Sequence, residues 1–246
     1  MKLSALKKSV NLFCASAAFL VVATATMLAH AAEPTNIILV RHGQTDYNLQ
    51  HRMQGNIDIP LNATGIAQAE NLAQYLKNVP IDVFISSPLQ RANNTGKMIA
   101  AYHNNAEVLV DARLTEINLG TWAGMYSKDV KAKYPKMENR FRHEPWHFKA
   151  PKGESIKTIG KRAAAALTDI AQKYPGKNVL VVAHSLVNPA ALNVLLGLGV
   201  KHMRQFAQDN TSISVLRYTD GKWTLLTWNA IPHLDKIANG IPLNKK

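Results

Sequence analysis

The segment of the chain best suited to chemistry is Ile37-Ile38-Leu39-Val40-Arg41-His42-Gly43-Gln44-Thr45, an apolar run that stops abruptly at an arginine, a histidine and a glycine. An imidazole presented at a strand end can attack an electrophile. The guanidinium beside it supplies planar, permanently charged donors that match phosphate oxygens, so phosphorus is the electrophile this pairing suits. The tripeptide alone is weak evidence, because a strand-end histidine is often only a satisfied polar group. Its weight comes from the residues that end the other apolar runs: Ser86 and Ser87 after one, His184 after another, with Arg91 a few residues beyond Pro88.

These residues need elements to bring them together. From Ala32 onward the chain alternates short β-branched runs with longer amphipathic segments, the pattern of strands joined by helical crossovers. The expected architecture is one α/β domain over residues 32–246, three layers deep (α/β/α), around a mostly parallel central sheet. Strands are predicted at 36–40, 81–85, 107–110 and 178–183, and a closing hairpin pairs 212–218 with 222–228 across Thr219-Asp220-Gly221. Helices are predicted at 64–77, 89–103, 155–174 and 189–198. Residues 120–153, with Trp122, Tyr134, Trp146 and several prolines, read as a long excursion over the sheet edge. Ligands of open α/β sheets bind beyond the carboxyl ends of the strands. Arg41, His42, Ser86, Ser87, Arg91 and His184 all fall there.

The motifs resemble the histidine phosphatase superfamily, also called phosphoglycerate mutase-like, in its short branch. Arg41-His42-Gly43-Gln44-Thr45 with Asn48 is similar to the family's catalytic turn, and Gln54-Gly55, Asp58, Pro60-Leu61, Gly65 and Gln68-Ala69 repeat its next signature in order. Ser86 to Ala92 resembles the segment bearing the second arginine. Leu114, Glu116, Gly120, Trp122 and Gly124 resemble the acidic motif, Gly153-Glu154-Ser155 a later one, and Val181-Val182-Ala183-His184 the strand with the second histidine. By this resemblance His42 takes the phosphoryl group to give a phosphohistidine that water hydrolyses. Arg41, Arg91 and His184 form the cationic cradle, and Glu116 carries the proton to the leaving group and from the attacking water. Asn48, Gln54, Gly55 and Ser185 fall to phosphate or substrate binding. The physics agrees, since phosphoryl transfer demands charge neutralisation on the equatorial oxygens above all. A bland alternative makes Glu116 a salt-bridge partner of Arg113. Two positions depart from the family pattern: Ser185 stands where glycine is usual, and Ala123 where many members carry glutamate.

Composition sets the surroundings. Residues 1–31 read as a secretory signal, with Lys2, Lys7 and Lys8 at the start, an apolar stretch from Val10 to Ala29, and Ala29-His30-Ala31 as the cleavage site. Export to the periplasm or medium is expected, with no stable membrane insertion after cleavage; the alternative reading of the same apolar span is an uncleaved membrane anchor, a weak one given its Ala, Ser and Thr content. Of the 29 lysines and arginines, three lie in that signal and no acid does, so the remaining 26 bases against 16 acids give a formal charge of +10. That balance favours an anionic partner. The bases are scattered and not interleaved with aromatics, which argues against nucleic acid. The single cysteine, Cys14, lies in the signal, so the mature domain holds neither disulfide nor thiolate nucleophile. His51, His103, His143, His147, His202 and His233 have no ligand spacing, and neither a metal nor another cofactor is expected.

The reading that unites these observations is an exported phosphomonoesterase acting on a small anionic phosphomonoester. Two other readings use the same residues: a mutase that re-donates the phosphoryl group, and a non-catalytic module that binds phosphate ligands. The extended sequence that mutases carry around the acidic motif is not recognisable after Glu116. Residues 128–151, rich in bases and aromatics, are expected to roof the pocket; their bases suit either a second anionic group on the substrate or, equally, a solvated loop.

Overall fold

The computed structural model describes residues 33–198 and 200–234. The signal sequence read at residues 1–31 lies outside them. Six strands form one sheet: β1 (Thr35–Arg41), β2 (Val83–Ser86), β3 (Val108–Val110), β4 (Asn178–Ala183), β5 (Ile213–Thr219) and β6 (Lys222–Ala230). Their spatial order is β3-β2-β4-β1-β5-β6. The first four are mutually parallel and the β5–β6 hairpin closes one side antiparallel. Asp220 and Gly221 both adopt positive φ at the hairpin tip, the two-residue turn that matches strand twist.

Alternation along the central strands explains the three layers, because strands buried on both faces read as continuous apolar runs. Ile38, Val40, Phe84, Leu180 and Val182 face helices α2 (Ala63–Leu76) and α3 (Gln90–Ala101), which contribute Leu72, Leu76 and Ile99. Ile37, Leu39, Ile85, Val179 and Val181 face the other way, onto α6 (Ile156–Lys173) and α7 (Val187–Leu195), which supply Ile159, Ala163, Leu167, Ala190 and Ala191. The small α1 (Asp46–Leu49) follows β1 directly and is held by a reciprocal cap between Thr45 and Asn48.

The excursion from residue 120 to 153 has more structure than its sequence suggests. It contains α4 (Ser127–Lys133), α5 (Pro135–His143) and short 3-10 turns at Gly120–Trp122 and Pro145–His147. In α5 only Met137 and Phe141, four residues apart, carry the apolar face, too little for a periodic signal. What holds the segment is an aromatic cluster about the fully buried Trp122, whose ring centroid lies 4.8 Å from that of Phe148, 5.8 Å from Phe141 and 6.1 Å from Tyr134. A second correction concerns α7, which begins at Val187 rather than Pro189. Pro189 is its third residue, where a backbone N–H has no intrahelical acceptor and proline costs little.

One contact ties a scaffold helix to the catalytic turn. A Cβ on Gly65, in the first turn of α2, would lie 2.0 Å from the Gln44 carbonyl oxygen, and one on Gly43 would lie 2.4 Å from the Gly65 carbonyl oxygen. Backbone meets backbone here, so neither side can yield by a rotamer change. Gly65→Ala is therefore expected to lose about 1–3 kcal/mol of stability, with a fall in turnover from displacement of the turn; urea unfolding together with a phosphatase assay checks both.

Candidate active site

The carboxyl ends of β1, β2 and β4 converge on one cleft, and His42 stands at its base, 2 % exposed. Its Nδ1 is 2.7 Å from the Gly43 carbonyl oxygen, which only an N–H can satisfy, and Arg91 donates from Nε to its Nε2 at 3.3 Å. Both contacts specify the same tautomer: the proton is on Nδ1 and the lone pair on Nε2. Burial pushes the His42 pKa well below the usual histidine range, and the charges of Arg91 and Arg41 push it the same way. The ring is neutral and nucleophilic.

Arg91 is fully buried, and its Nη1 and Nη2 donate to the carbonyl oxygens of Ile57 and Gly55, each at 2.8 Å. Burial lowers its pKa to about 10, which leaves it charged at neutral pH. Gly55 reaches this position with φ +52°, where a Cβ would also lie 2.8 Å from the Ile117 carbonyl oxygen, so glycine is required twice over. The Gln54 carboxamide satisfies both neighbours when its oxygen accepts from Arg91 Nε at 2.6 Å and its nitrogen donates to Thr45 Oγ1 at 2.5 Å.

Arg41 and His184 flank His42 from behind the cleft wall. Arg41 donates from Nη1 to the Gln208 carbonyl oxygen at 2.5 Å, while its buried Nε has no partner among the described residues. The His184 ring lies 5.2 Å from that of His42, and its Nε2 is 2.7 Å from Ser87 Oγ. Leu89 N–H also donates to Ser87 Oγ at 3.3 Å, and the hydroxyl, with one proton and two lone pairs, suits either tautomer of His184. His184 Nδ1 is also buried without a partner among the described residues. Unpaired buried donors are costly. A phosphoryl oxygen would satisfy the Arg41 donor, and would satisfy His184 when its Nδ1 carries a proton.

Glu116 lines the same cleft, 5 % exposed. Ile117 N–H donates to Oε1 at 2.9 Å and Leu186 N–H to Oε2 at 3.1 Å. Burial nevertheless raises its pKa above the ordinary glutamate value, against the pull of those two amides, Arg91 and Arg162. Arg113 is not its partner, since that guanidinium pairs with Asp111 at 2.8 Å and Asp169 at 2.5 Å. A carboxyl that holds a proton more readily than usual thus shares a cleft of about 190 Å³ with a neutral imidazole.

Asn48, Gln54, Gly55 and Ser185 all reach the cleft wall, as expected from the sequence. The roof differs from expectation. Of residues 128–151 only Phe141 lines the cleft; the bases around it are engaged elsewhere, Arg142 with Glu138 and Arg140 with Glu144. Sequence reasoning also missed the support beneath the catalytic turn. Asn210 donates to the His42 carbonyl oxygen at 2.9 Å and to Asn48 Oδ1 at 3.3 Å, and Thr211 N–H donates to the Arg41 carbonyl oxygen at 3.0 Å. Thr211 adopts φ +56°, and no residue-type signal marks that position. Arg162 was missed as well: it reaches the carbonyl oxygen of Arg113 at 2.6 Å and Glu154 at 3.3 Å, pinning the segment that bears Glu116.

Comparison with known proteins places this geometry. Residues 37–231 match the histidine phosphatase superfamily (branch 1). Phosphoserine phosphatase 1 of Hydrogenobacter thermophilus is 34% identical, over 80% of this chain and 93% of its own length. Metal-independent phosphoserine phosphatase of Arabidopsis thaliana is 33% identical over 84% and 86% of the two chains. Among solved structures, a phosphoserine phosphatase mutant from Entamoeba histolytica in complex with phosphoserine superimposes with TM-score 0.74 at 30% identity, covering 81% of this chain and 99% of that one. A match that spans β1 to the end of β6 takes in every element that builds the cleft. The chain belongs to branch 1 of the histidine phosphatase superfamily and is a phosphoric monoester hydrolase of that type.

Proposed function

We propose that the chain is an exported phosphatase that hydrolyses small phosphomonoesters through a phosphohistidine on His42, without a metal ion. In the first step His42 Nε2 attacks phosphorus, the P–O bond to the leaving group breaks, and Glu116 gives its proton to the departing alkoxide. In the second step Glu116 takes a proton from water, the resulting oxygen attacks phosphorus, and the P–N bond breaks to release phosphate and free imidazole. Arg91, Arg41 and His184 hold the equatorial oxygens in both steps, and splitting the reaction in two lowers each barrier. The observation that carries this reading is a neutral His42, its lone pair on Nε2, in one cleft with a buried Glu116 of raised pKa. Opposite shifts on two neighbouring groups are how acid and base roles are assigned within one site.

Three outcomes test it. Rapid quenching at alkaline pH during turnover should trap a single phosphoryl group on the peptide that contains His42. His42→Ala should lose both the adduct and the release of phosphate; an adduct on another residue, or turnover equal to wild type, refutes the assignment.

The two shifts also fix the pH profile. His42 must be neutral, so the acid limb of kcat/KM falls below the usual histidine value. Glu116 must be protonated, so activity declines as pH rises through a value above the ordinary glutamate pKa. The profile is therefore a bell whose acid limb lies below the usual histidine value and whose alkaline limb lies above the ordinary glutamate value. Glu116→Gln should flatten the alkaline limb and slow alkyl phosphates by about 10²–10⁴-fold, the usual worth of a positioned general acid, while slowing aryl phosphates, whose leaving group needs less help, far less.

Export is read from residues 1–31. Expressed in full in a Gram-negative host, the mature protein should appear in the periplasmic fraction or medium with Ala32 at its N-terminus, checked by fractionation and N-terminal sequencing.

A further inference from the structure

Of the nine arginines in the chain, five are not exposed: Arg41, Arg52, Arg91, Arg113 and Arg162. Arg113 and Arg162 are paired with carboxylates, Asp111 and Asp169 for one and Glu154 for the other. The other three have no carboxylate partner among the described residues, and all three gather at the cleft. Arg41 and Arg91 are accounted for by the phosphoryl group. Arg52 is not.

Arg52 lies on the cleft wall in the loop after α1. Its Nε donates to the Gly124 carbonyl oxygen at 2.7 Å, and its guanidinium carbon lies 4.2 Å from the centroid of the Tyr47 ring and 5.2 Å from that of Tyr126. Its backbone N–H donates to the Tyr47 carbonyl oxygen at 2.8 Å, which ties it to the helix that carries Asn48. One edge and the faces of the guanidinium are thereby fixed. The two terminal nitrogens donate to no protein group among the described residues. A long side chain held in this way has already lost most of its rotamer entropy, so an anion that binds it does not bear that cost.

Position decides what it would bind. Arg52 is three residues from Gly55, whose carbonyl oxygen anchors Arg91, so their Cα atoms are at most about 10 Å apart. That is the reach of a small organic leaving group attached to a phosphate seated on His42. Besides Arg91, which is turned to His42, no other lysine or arginine among the described residues lines the cleft, where Phe141, Leu119 and Met53 stand beside neutral polar groups and Glu116. We propose that Arg52 is a leaving-group subsite that recognises a carboxylate on the organic part of the substrate, through the paired donors of its free end. This rests on the hydrolase reading above. It also replaces the basic residues of 128–151 as the expected reader of a second anionic group.

The test uses two esters that differ by one carboxylate, O-phosphoserine and O-phosphoethanolamine, with wild type, Arg52→Gln and Arg52→Lys. Wild type should favour phosphoserine. In Arg52→Gln the ratio of kcat/KM values should fall about 10- to 100-fold, the span of a lost charge-assisted hydrogen-bonded pair, chiefly through KM; Arg52→Lys should keep part of the preference. Equal loss on both esters, which a purely structural role predicts, overturns the proposal, as does an unchanged ratio. A third pair, a sugar bisphosphate against its monophosphate, identifies the anion. Loss of discrimination in that pair alone means that the subsite reads phosphate, and overturns the carboxylate assignment. If wild type hydrolyses none of these esters, the hydrolase reading fails separately. The same ratio is then taken from calorimetric binding of phosphoserine and phosphoethanolamine, with the same criteria; should Arg52→Gln not fold, Arg52→Lys carries the comparison.

Discussion

The contact between Arg91 and His42 is the constraint on which the site depends. A fully buried guanidinium donates to the imidazole nitrogen that carries the lone pair, and the carbonyl oxygens of Gly55 and Ile57 hold that guanidinium in place. Removing a cation from water is expensive unless its donors are met. Two backbone carbonyls, the Gln54 amide oxygen and a ring nitrogen meet them without bringing in negative charge. A carboxylate in their place would stabilise Arg91 better, raise the His42 pKa and repel the phosphate. The requirement extends to Gly55, whose carbonyl faces Arg91 from a left-handed backbone where a Cβ would lie 2.8 Å from the Ile117 carbonyl oxygen.

The same logic governs the cleft as a whole. Its arginines are held by backbone oxygens, ring faces and amides, whereas those elsewhere in the interior are held by acids. The result is a site preorganised for a dianion, in which the positive field costs no rearrangement during the reaction. Glu116 is the one acid admitted, and burial is what makes it admissible: with its pKa raised, it can enter the field as a neutral proton donor. Its two oxygens are nevertheless met by the amides of Ile117 and Leu186, which would stabilise the charged form that the proposed mechanism gives it after proton transfer.

Much of this was legible in the sequence, and what was not has physical reasons. Strands buried on both faces write continuous apolar runs, so β1, β2 and β4 could be placed within a residue or two, and with them the polar residues at their ends. Residue type singled out His42 and His184, because an imidazole at a buried strand end is costly without a purpose, and Arg91 just beyond a third strand end; Glu116 stood out only through the resemblance of its motif. Asn210 and Thr211 were invisible, since their work is done by an amide and a backbone N–H that any loop could offer. Arg52 was overlooked because an arginine in a polar loop is ordinarily solvated; only its rings and its missing carboxylate set it apart. The basic stretch at 128–151 misled for the converse reason, as its charges face one another or solvent while a single phenylalanine reaches the cleft.

Strand order explains why residues so far apart in the chain meet at all. β4 lies between β1 and β2, so the last of these strands to be made sits between the other two. Its terminal His184 touches Ser87 from the end of β2 on one side and faces His42 from the end of β1 on the other. Glu116 closes the set without belonging to any strand: it accepts from Leu186, two residues past His184, and its segment is pinned by Arg162 from α6. In the proposed mechanism the proton carrier is thus referenced to β4, as are the nucleophile and the second histidine. Ser185 lies between His184 and Leu186, so a side chain where the family usually has glycine stands on the short backbone that links the two roles. Leu186 N–H still reaches Glu116 at 3.1 Å and His184 still meets Ser87 at 2.7 Å, so the serine is accommodated on the cleft wall without breaking that link.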